Sequence, residues 1–251
     1  MSRWLFPLFF SALALALSSC IKEDRDGCPC VLVLSTEESV EDSRYSVYLS
    51  LEEEAVTDTL EAGGEYRRPV PRGFLYATVA LGDRETFVHG QGIVIPKGSD
   101  CPPVRLWSRP VKAVGEIVSR SAVLSKEYCL VRMKLEPPGG NLDFLVRGSI
   151  SGYDLDGNPV GGEFECVPKD AGGGFLEFRL PRQRDNSLLM DVSSGGVLLR
   201  TFALGEILFR AGYSWKDRDL KDISMEVSCS ASVFLTDFSV WENVENREIL
   251  L

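Results

Sequence analysis

The residue pattern predicts a mostly β protein built as two β-sandwich domains, with one short helix in the second. Three observations carry that expectation. Short runs rich in Val, Leu, Ile, Phe and Tyr recur along the chain, and several alternate apolar with polar residues. Gly- and Pro-rich turn signals separate the runs at close intervals, as in sandwiches. Only one stretch places its apolar residues at helical spacing.

Residues 30–35 are a short apolar run. Tyr45, Val47, Leu49 and Leu51 alternate with Arg44, Ser46, Tyr48 and Ser50, the period of a half-buried strand. Residues 55–60 form another short candidate, closed by Ala62-Gly63-Gly64. Residues 73–81 are strongly β-prone and end at Gly82-Asp83. Phe87-Val88 and Ile93-Val94-Ile95 flank Gly90 and Gly92, as in a hairpin or bulge. Residues 96–103 read as a loop, and 104–118 as one or two strands interrupted at Arg109-Pro110.

A second set begins near Ser125. A strand over 128–135 stops at Pro137-Pro138-Gly139-Gly140. Strands over 142–150 and 162–167 bracket Asp154-Leu155-Asp156-Gly157-Asn158-Pro159, a dense turn signal. Gly172-Gly173-Gly174 precedes a strand over 175–180, and the runs 188–192 and 197–202 meet across Ser193-Ser194-Gly195-Gly196. The helix is expected over 204–212, with Leu204, Ile207, Leu208 and Ala211 on one stripe and Gly212 as its stop. Strands over 222–229 and 233–241 and an acidic-then-apolar tail complete the chain. A division near 119–126 gives domains of 28–122 and 123–251, between which no sequence repeat is visible.

The first 19 residues read as a signal peptide. Arg3 is followed by an apolar run of thirteen at 5–17, the length of a signal core. A bilayer span needs about 20 apolar residues. Leu17, Ser18 and Ser19 lead directly to Cys20, and this resembles a lipobox, the lipoprotein signal. The resemblance implies that the Cys20 thiol is acylated and that cleavage leaves Cys20 as the first residue of a lipidated tether, 20–27. Lipoproteins of this kind carry three acyl chains, whereas one chain alone binds a membrane only marginally. Lys22, Glu23 and Asp24 resemble a short signal for display on the outer face of the outer membrane.

Net charge is -10, and Arg3 is the only charge in the segment to be removed. An acidic chain without a basic cluster argues against nucleic acid and against anionic lipid heads as partners. Of seven cysteines, six remain if Cys20 carries lipid, and six allow about fifteen full pairings. Cys28 and Cys30 are too close to pair comfortably. One of them, Cys28 as the candidate, is expected to pair with Cys101, which precedes Pro102-Pro103 in a loop of the same domain. Cys129, Cys166 and Cys229 lie in apolar runs and read as buried thiols. Cys28-Pro29-Cys30 has no further ligands at metal-site spacing.

Enzyme readings fail on inventory. His89 is the only histidine, in a turn-like setting. Gly148-Ser149-Ile150-Ser151-Gly152 places isoleucine where a nucleophile would sit. Asp154-Leu155-Asp156-Gly157-Asn158 resembles the start of a calcium loop, but its glycine comes too early and no glutamate falls at the twelfth position. No phosphate-binding glycine motif occurs, and no carboxylate pair stands out for glycoside hydrolysis. Tyr45, Tyr48, Phe74, Tyr76, Trp107, Trp215 and Trp241 could stack on sugars, but their place in strand patterns favours core packing. No cofactor and no small-molecule substrate are expected.

The C-terminal third carries a more specific signal. Leu204-Gly205-Glu206-Ile207-Leu208 runs on to Ala211-Gly212-Tyr213-Ser214-Trp215 and Asp219-Leu220-Lys221-Asp222-Ile223, then to Val233-Phe234-Leu235 and Val240-Trp241-Glu242. With Cys20, the acidic tether and Cys28-Pro29 in front, this succession resembles the FimB-like family of minor-fimbrium anchoring lipoproteins of type V pili. It departs from the family at Tyr213-Ser214-Trp215, where Tyr-Asp-Trp is frequent. The resemblance implies two transthyretin-like β-sandwich domains and an outward-facing outer-membrane lipoprotein. Such a protein anchors a fimbrium by donor-strand exchange with a stalk subunit and limits its elongation. Cutting downstream of Cys20, for example after Arg44, would release such an anchor, so the strand at 30–35 is expected to stay in place. Val233, Leu235, Val240 and Trp241 are then the expected stalk contact. The alternatives are a surface glycan-binding lipoprotein and an accessory or tip adhesin.

Overall fold

Alternating burial along short strands gathers the apolar side chains into two main cores, one in each half of the chain. The computed structural model describes residues 28–37, 44–51, 54–81, 87–88, 92–136, 142–228 and 233–239. The first strands are β1 (Cys30–Thr36), β2 (Arg44–Ser50), β3 (Ala55–Glu61), β4 (Glu65–Val70), β5 (Gly73–Leu81), β6 (Phe87–Val88) and β7 (Gly92–Val94). Next come β8 (Arg105–Ala113), β9 (Ile117–Ala122), β10 (Ser125–Lys126), β11 (Tyr128–Glu136), β12 (Asp143–Tyr153), β13 (Pro159–Cys166) and β14 (Lys169–Gly172). Then follow β15 (Phe175–Pro181), β16 (Leu189–Ser194), β17 (Val197–Phe202), helix α1 (Leu204–Arg210), β18 (Asp222–Ser228) and β19 (Val233–Ser239).

The first sandwich sets a three-stranded sheet, β4-β1-β9, against a five-stranded sheet, β10-β8-β5-β2-β3. Leu32 and Leu34 of β1 meet Tyr45, Val47 and Leu49 of β2 and Ala77 and Val79 of β5 in its core. The second sandwich sets β14-β15-β11-β18-β19 against β17-β16-β12-β7-β6, with β13 also on β12. Its core holds Val131, Met133, Phe164, Phe178, Leu180 and Met190. The two share a device that the sequence hides. In each, the first strand pairs antiparallel on one side (β1 with β4, β11 with β15) and parallel with a later strand on the other (β1 with β9, β11 with β18).

Several expectations need correction. The run 104–118 does not break at Arg109-Pro110. Pro110 lies inside β8, opposite Tyr76 of β5. The neighbour on the other side, β10, reaches only Leu106 and Arg105, so no ladder bond is lost there. The break falls instead at Val114-Gly115-Glu116. β4 was unexpected because Arg67, Arg68 and Pro69 mask its alternation; as an edge strand it tolerates them. The domain division is also crossed. β6 and β7, from the first half, pair with β12 of the second, and Ile95 and Cys101 enter the second core. This crossing needs Gly92, at φ +84°, where a Cβ would stand 2.2 Å from the Tyr153 carbonyl oxygen.

The helix forms as expected. Leu204 and Leu208 are buried, and Gly212 at φ +87° stops it, the Tyr213 N–H returning to the Leu208 carbonyl at 3.0 Å. Gly205 lets the helix start press on the backbone of Asn186, whose carbonyl oxygen would lie 2.4 Å from a Cβ. Among the described residues, no helix is long and apolar enough to cross a membrane.

Candidate functional site

Cys20, the lipobox residues Leu17, Ser18 and Ser19, and Lys22, Glu23 and Asp24 lie outside the described residues, as do His89, Val240 and Trp241. The chain becomes described at Cys28, whose carbonyl accepts a hydrogen bond from Arg72 Nε at 2.9 Å. The expected Cys28–Cys101 disulfide is not formed, and both thiols are free. The physical reason is the crossing at β7. Cys28 is exposed at the mouth of the first sandwich, whereas Cys101 is buried in the second core with Cys129 and Cys166. Burial pushes the Cys101 thiol well up, and those of Cys129 and Cys166 up to about 12. Such thiols are unreactive and pack as small apolar groups.

The motif that dominated the C-terminal third, residues 213–222, closes on the passage between the sandwiches. Tyr213 and Trp215 are buried edge to face, with ring centroids 4.9 Å apart, and Tyr213 Oη donates to the Lys221 carbonyl at 2.9 Å. Asp219 accepts from the Lys126 N–H at 2.9 Å. Burial opposes ionisation of Asp219, but that bond and the Arg218 guanidinium hold its carboxyl below the usual range. Lys126 Nζ and Asp222 form an ion pair at 2.5 Å with side chains 6% and 2% exposed, and Asp222 also accepts from the Leu130 N–H at 2.7 Å. Arg182 pairs with Glu127 at 2.5 Å and donates to the carbonyls of Trp215, Asp217 and Arg218. Tyr153 Oη donates to the Glu127 carbonyl at 2.5 Å. Residues 126–130, where one sandwich hands over to the next, are thus held from both sides by buried or half-buried charge-assisted bonds.

The sheet edges differ sharply in chemistry. β4 carries Glu65, Arg67, Arg68 and Pro69, and β14 is Lys169-Asp170-Ala171-Gly172, residues that deter strand addition. β17 has no such guard along Val197, Leu198 and Leu199, which are 64%, 59% and 56% exposed. A bulge beside Val192 and Ser193 leaves Leu199 without a cross-strand partner. β19, which includes Val233 and Leu235, forms the edge beside β18, with Val233 opposite Val227 and Leu235 opposite Met225. β1, in contrast, is enclosed between β4 and β9.

No family model and no curated protein matches the chain. Solved structures do match in fold. The fimbrial anchor protein Mfa2 from Porphyromonas gingivalis is 12% identical, covering 85% of this chain and 98% of that one, at a TM-score of 0.60. The chain shares its fold with a fimbrial anchor. It is similar as well to an assigned adhesin from Bacteroides ovatus, at 9% identity, 87% and 97% coverage and a TM-score of 0.62. A Bacteroides thetaiotaomicron protein assigned to polysaccharide binding follows at 12%, 87% and 100%, and 0.61.

Residues 213–222 fall within the longer C-terminal succession that carries the family resemblance; the structure places them at the domain junction. Sequence reasoning missed Arg182 and Glu127 altogether, since neither sits in a motif and their partners are 23 to 56 residues away in sequence. It read the apolar run 197–202 as a strand, but exposure on both faces of an edge is not a property of the run itself.

Proposed function

We propose that this protein is a surface lipoprotein that anchors a fimbrium to the outer membrane and ends its growth at the base, without enzymatic activity. The lipobox resemblance at Cys20 supplies the attachment, and the fold shared with a fimbrial anchor agrees with the role. The observation that carries the reading is the contrast between enclosed and open strands. β1 lies at the centre of its sheet with Leu32 and Leu34 fully buried, so among the described residues its place in the first sandwich is filled rather than open to a donor strand. The second sandwich ends in β19 and β17, edges to which a stalk subunit adds a strand by main-chain hydrogen bonds and alternating side chains. A subunit closed at one end and open at the other terminates a polymer made by strand exchange.

Cys20→Ala tests the attachment: whole fimbriae are shed into the medium, and fimbriae that stay on the cells refute it. Truncation after Trp241 and, separately, after Ser230 tests the donor region. If both truncated proteins still retain fimbriae, β19 is not the contact.

A further inference from the structure

Of the aromatics weighed for sugar stacking, Tyr45, Tyr48 and Trp215 are buried and Trp107 is half-buried against the first core. Two are not. Phe74 is 68% exposed and Tyr76 45% exposed, at alternate positions of β5, so both project from the solvent face of the five-stranded sheet. Their cross-strand neighbours are Lys112 and Pro110 on β8 and, for Tyr76, Ser50 on β2. The same face carries the hydroxyls of Thr57 and Thr59 of β3 and, farther along, an exposed Arg44–Glu61 ion pair.

The face is bounded at both ends. Beside Phe74, a cavity of about 480 Å³ opens between the β2–β3 and β4–β5 turns, lined by Leu51, Glu54, Pro71 and Arg72. That volume lies within the range of small-ligand sites, roughly 300–1,000 Å³. Beyond Tyr76, the β12–β13 turn lies on the sheet. Thr78 Oγ1 donates to the Leu155 carbonyl at 2.7 Å, and a Cβ on Gly157 would stand 3.0 Å from the Ser108 side chain. Between them, Asp156 has a buried carboxylate oxygen with no hydrogen-bond partner among the described residues. From Phe74 to Thr78 the strand advances ~13 Å, so the two exposed rings stand between the cavity and the turn.

We propose that this face of the first sandwich, with the cavity beside it, is a binding surface for a neutral polysaccharide. A pyranose ring is amphipathic. Its C–H face stacks on an aromatic ring, and its hydroxyls donate to carboxylates and accept from cations. Phe74 and Tyr76 supply the rings, Glu54 an acceptor, and Arg72 and Lys112 the donors, Lys112 Nζ standing 5.6 Å from the Phe74 centroid. An apolar protein partner would leave the surrounding hydroxyl groups unpaired. A polyanion would approach a chain of net charge -10. This activity is independent of fimbrial anchoring and adds a second ligand to the protein.

The test is native electrophoresis of the full-length protein in detergent, through gels cast with laminarin, xylan or dextran, or with alginate as the acidic control. At least one neutral polymer retards the parent protein. Phe74→Ala/Tyr76→Ala weakens that retardation at least tenfold with an unchanged melting temperature, because both side chains are exposed, and Phe74→Trp preserves it. Retardation by alginate alone, by none of the polymers, or equally in the double variant overturns the proposal. Cells carrying the double variant keep their fimbriae. Their loss would make the face a subunit contact and overturn the proposal, whereas loss on Cys20→Ala bears on anchoring alone.

Discussion

The two sandwiches are built on the same central arrangement, a first strand flanked by one antiparallel and one parallel neighbour, yet they finish differently. In the first, the parallel neighbour β9 is itself the edge of the sheet. In the second, the parallel neighbour β18 is covered by a further strand, β19, which becomes the edge. The flanks of the first sandwich are guarded by charge and proline, as on β4, and by Asp58 and Glu61 on β3. The second leaves Val197, Leu198 and Leu199 exposed on β17. Backbone pairing demands nothing of an edge residue's identity, so an unguarded edge is a choice of side chains. The two sandwiches thus differ in the side chains at particular edges, charge and proline on β4 against exposed apolar residues on β17.

The junction offers the largest perturbation of this pairing of domains. Asp222→Ala strands the Lys126 ammonium and the Leu130 N–H in a buried setting and costs about 3–5 kcal/mol. Lys126→Met/Asp222→Leu, which removes both charges but leaves the Leu130 N–H without its acceptor, recovers part of that loss. Chemical denaturation of the two variants decides it, and equal losses would mean that the pair is not buried in solution.

Next in size, Leu32→Ala in β1 costs about 2–5 kcal/mol, because the side chain is fully buried and a cavity remains. The loss appears in the transition of the first sandwich and sharpens the claim that β1 is a fixed part of it.

A pH effect follows. Asp191 is held below the usual carboxylate range by its hydrogen bond with Arg147, an ion pair at 2.7 Å, and Asp219 is depressed as well. Both carboxyls bind protons more weakly folded than unfolded. Their contribution is therefore complete above the unfolded pKa of about 3.9 and is lost as pH falls through the lower folded values. Thermal midpoints should hold steady from neutral pH down to about pH 5 and fall below about pH 4. Asp191→Asn lessens the fall.

The smallest stability effect belongs to the edge. Leu198→Lys supplies β17 with the guard that Arg67 and Arg68 give β4, changes stability by less than about 0.5 kcal/mol, and reduces fimbrial retention. Unchanged retention would remove β17 from the contact and leave β19 alone.

Much of this architecture is legible from one residue to the next. The alternation at Tyr45, Val47 and Leu49 marks β2, and Gly195-Gly196 marks the β16–β17 turn. The stripe Leu204, Ile207 and Leu208 with Gly212 marks the helix. Periodicity fails where a strand is an edge, as at β4, since a strand with one free side can carry arginines and a proline. It fails again at Cys101, which looks like a loop residue of the first domain and is a core residue of the second.

The amino-acid order by itself determined most of the longer strands, the single helix and the signal-like, lipobox-like start, because periodicity, turn chemistry and apolar length are local properties. Only the tertiary structure decided that β7 crosses into the second sheet, that Cys28 and Cys101 lie apart, and that residues 213–222 lock the junction. It also decided which apolar strands face water. The physical reason is that pairing and burial depend on what lies across the sheet, tens of residues away, and no local pattern encodes which neighbour that will be.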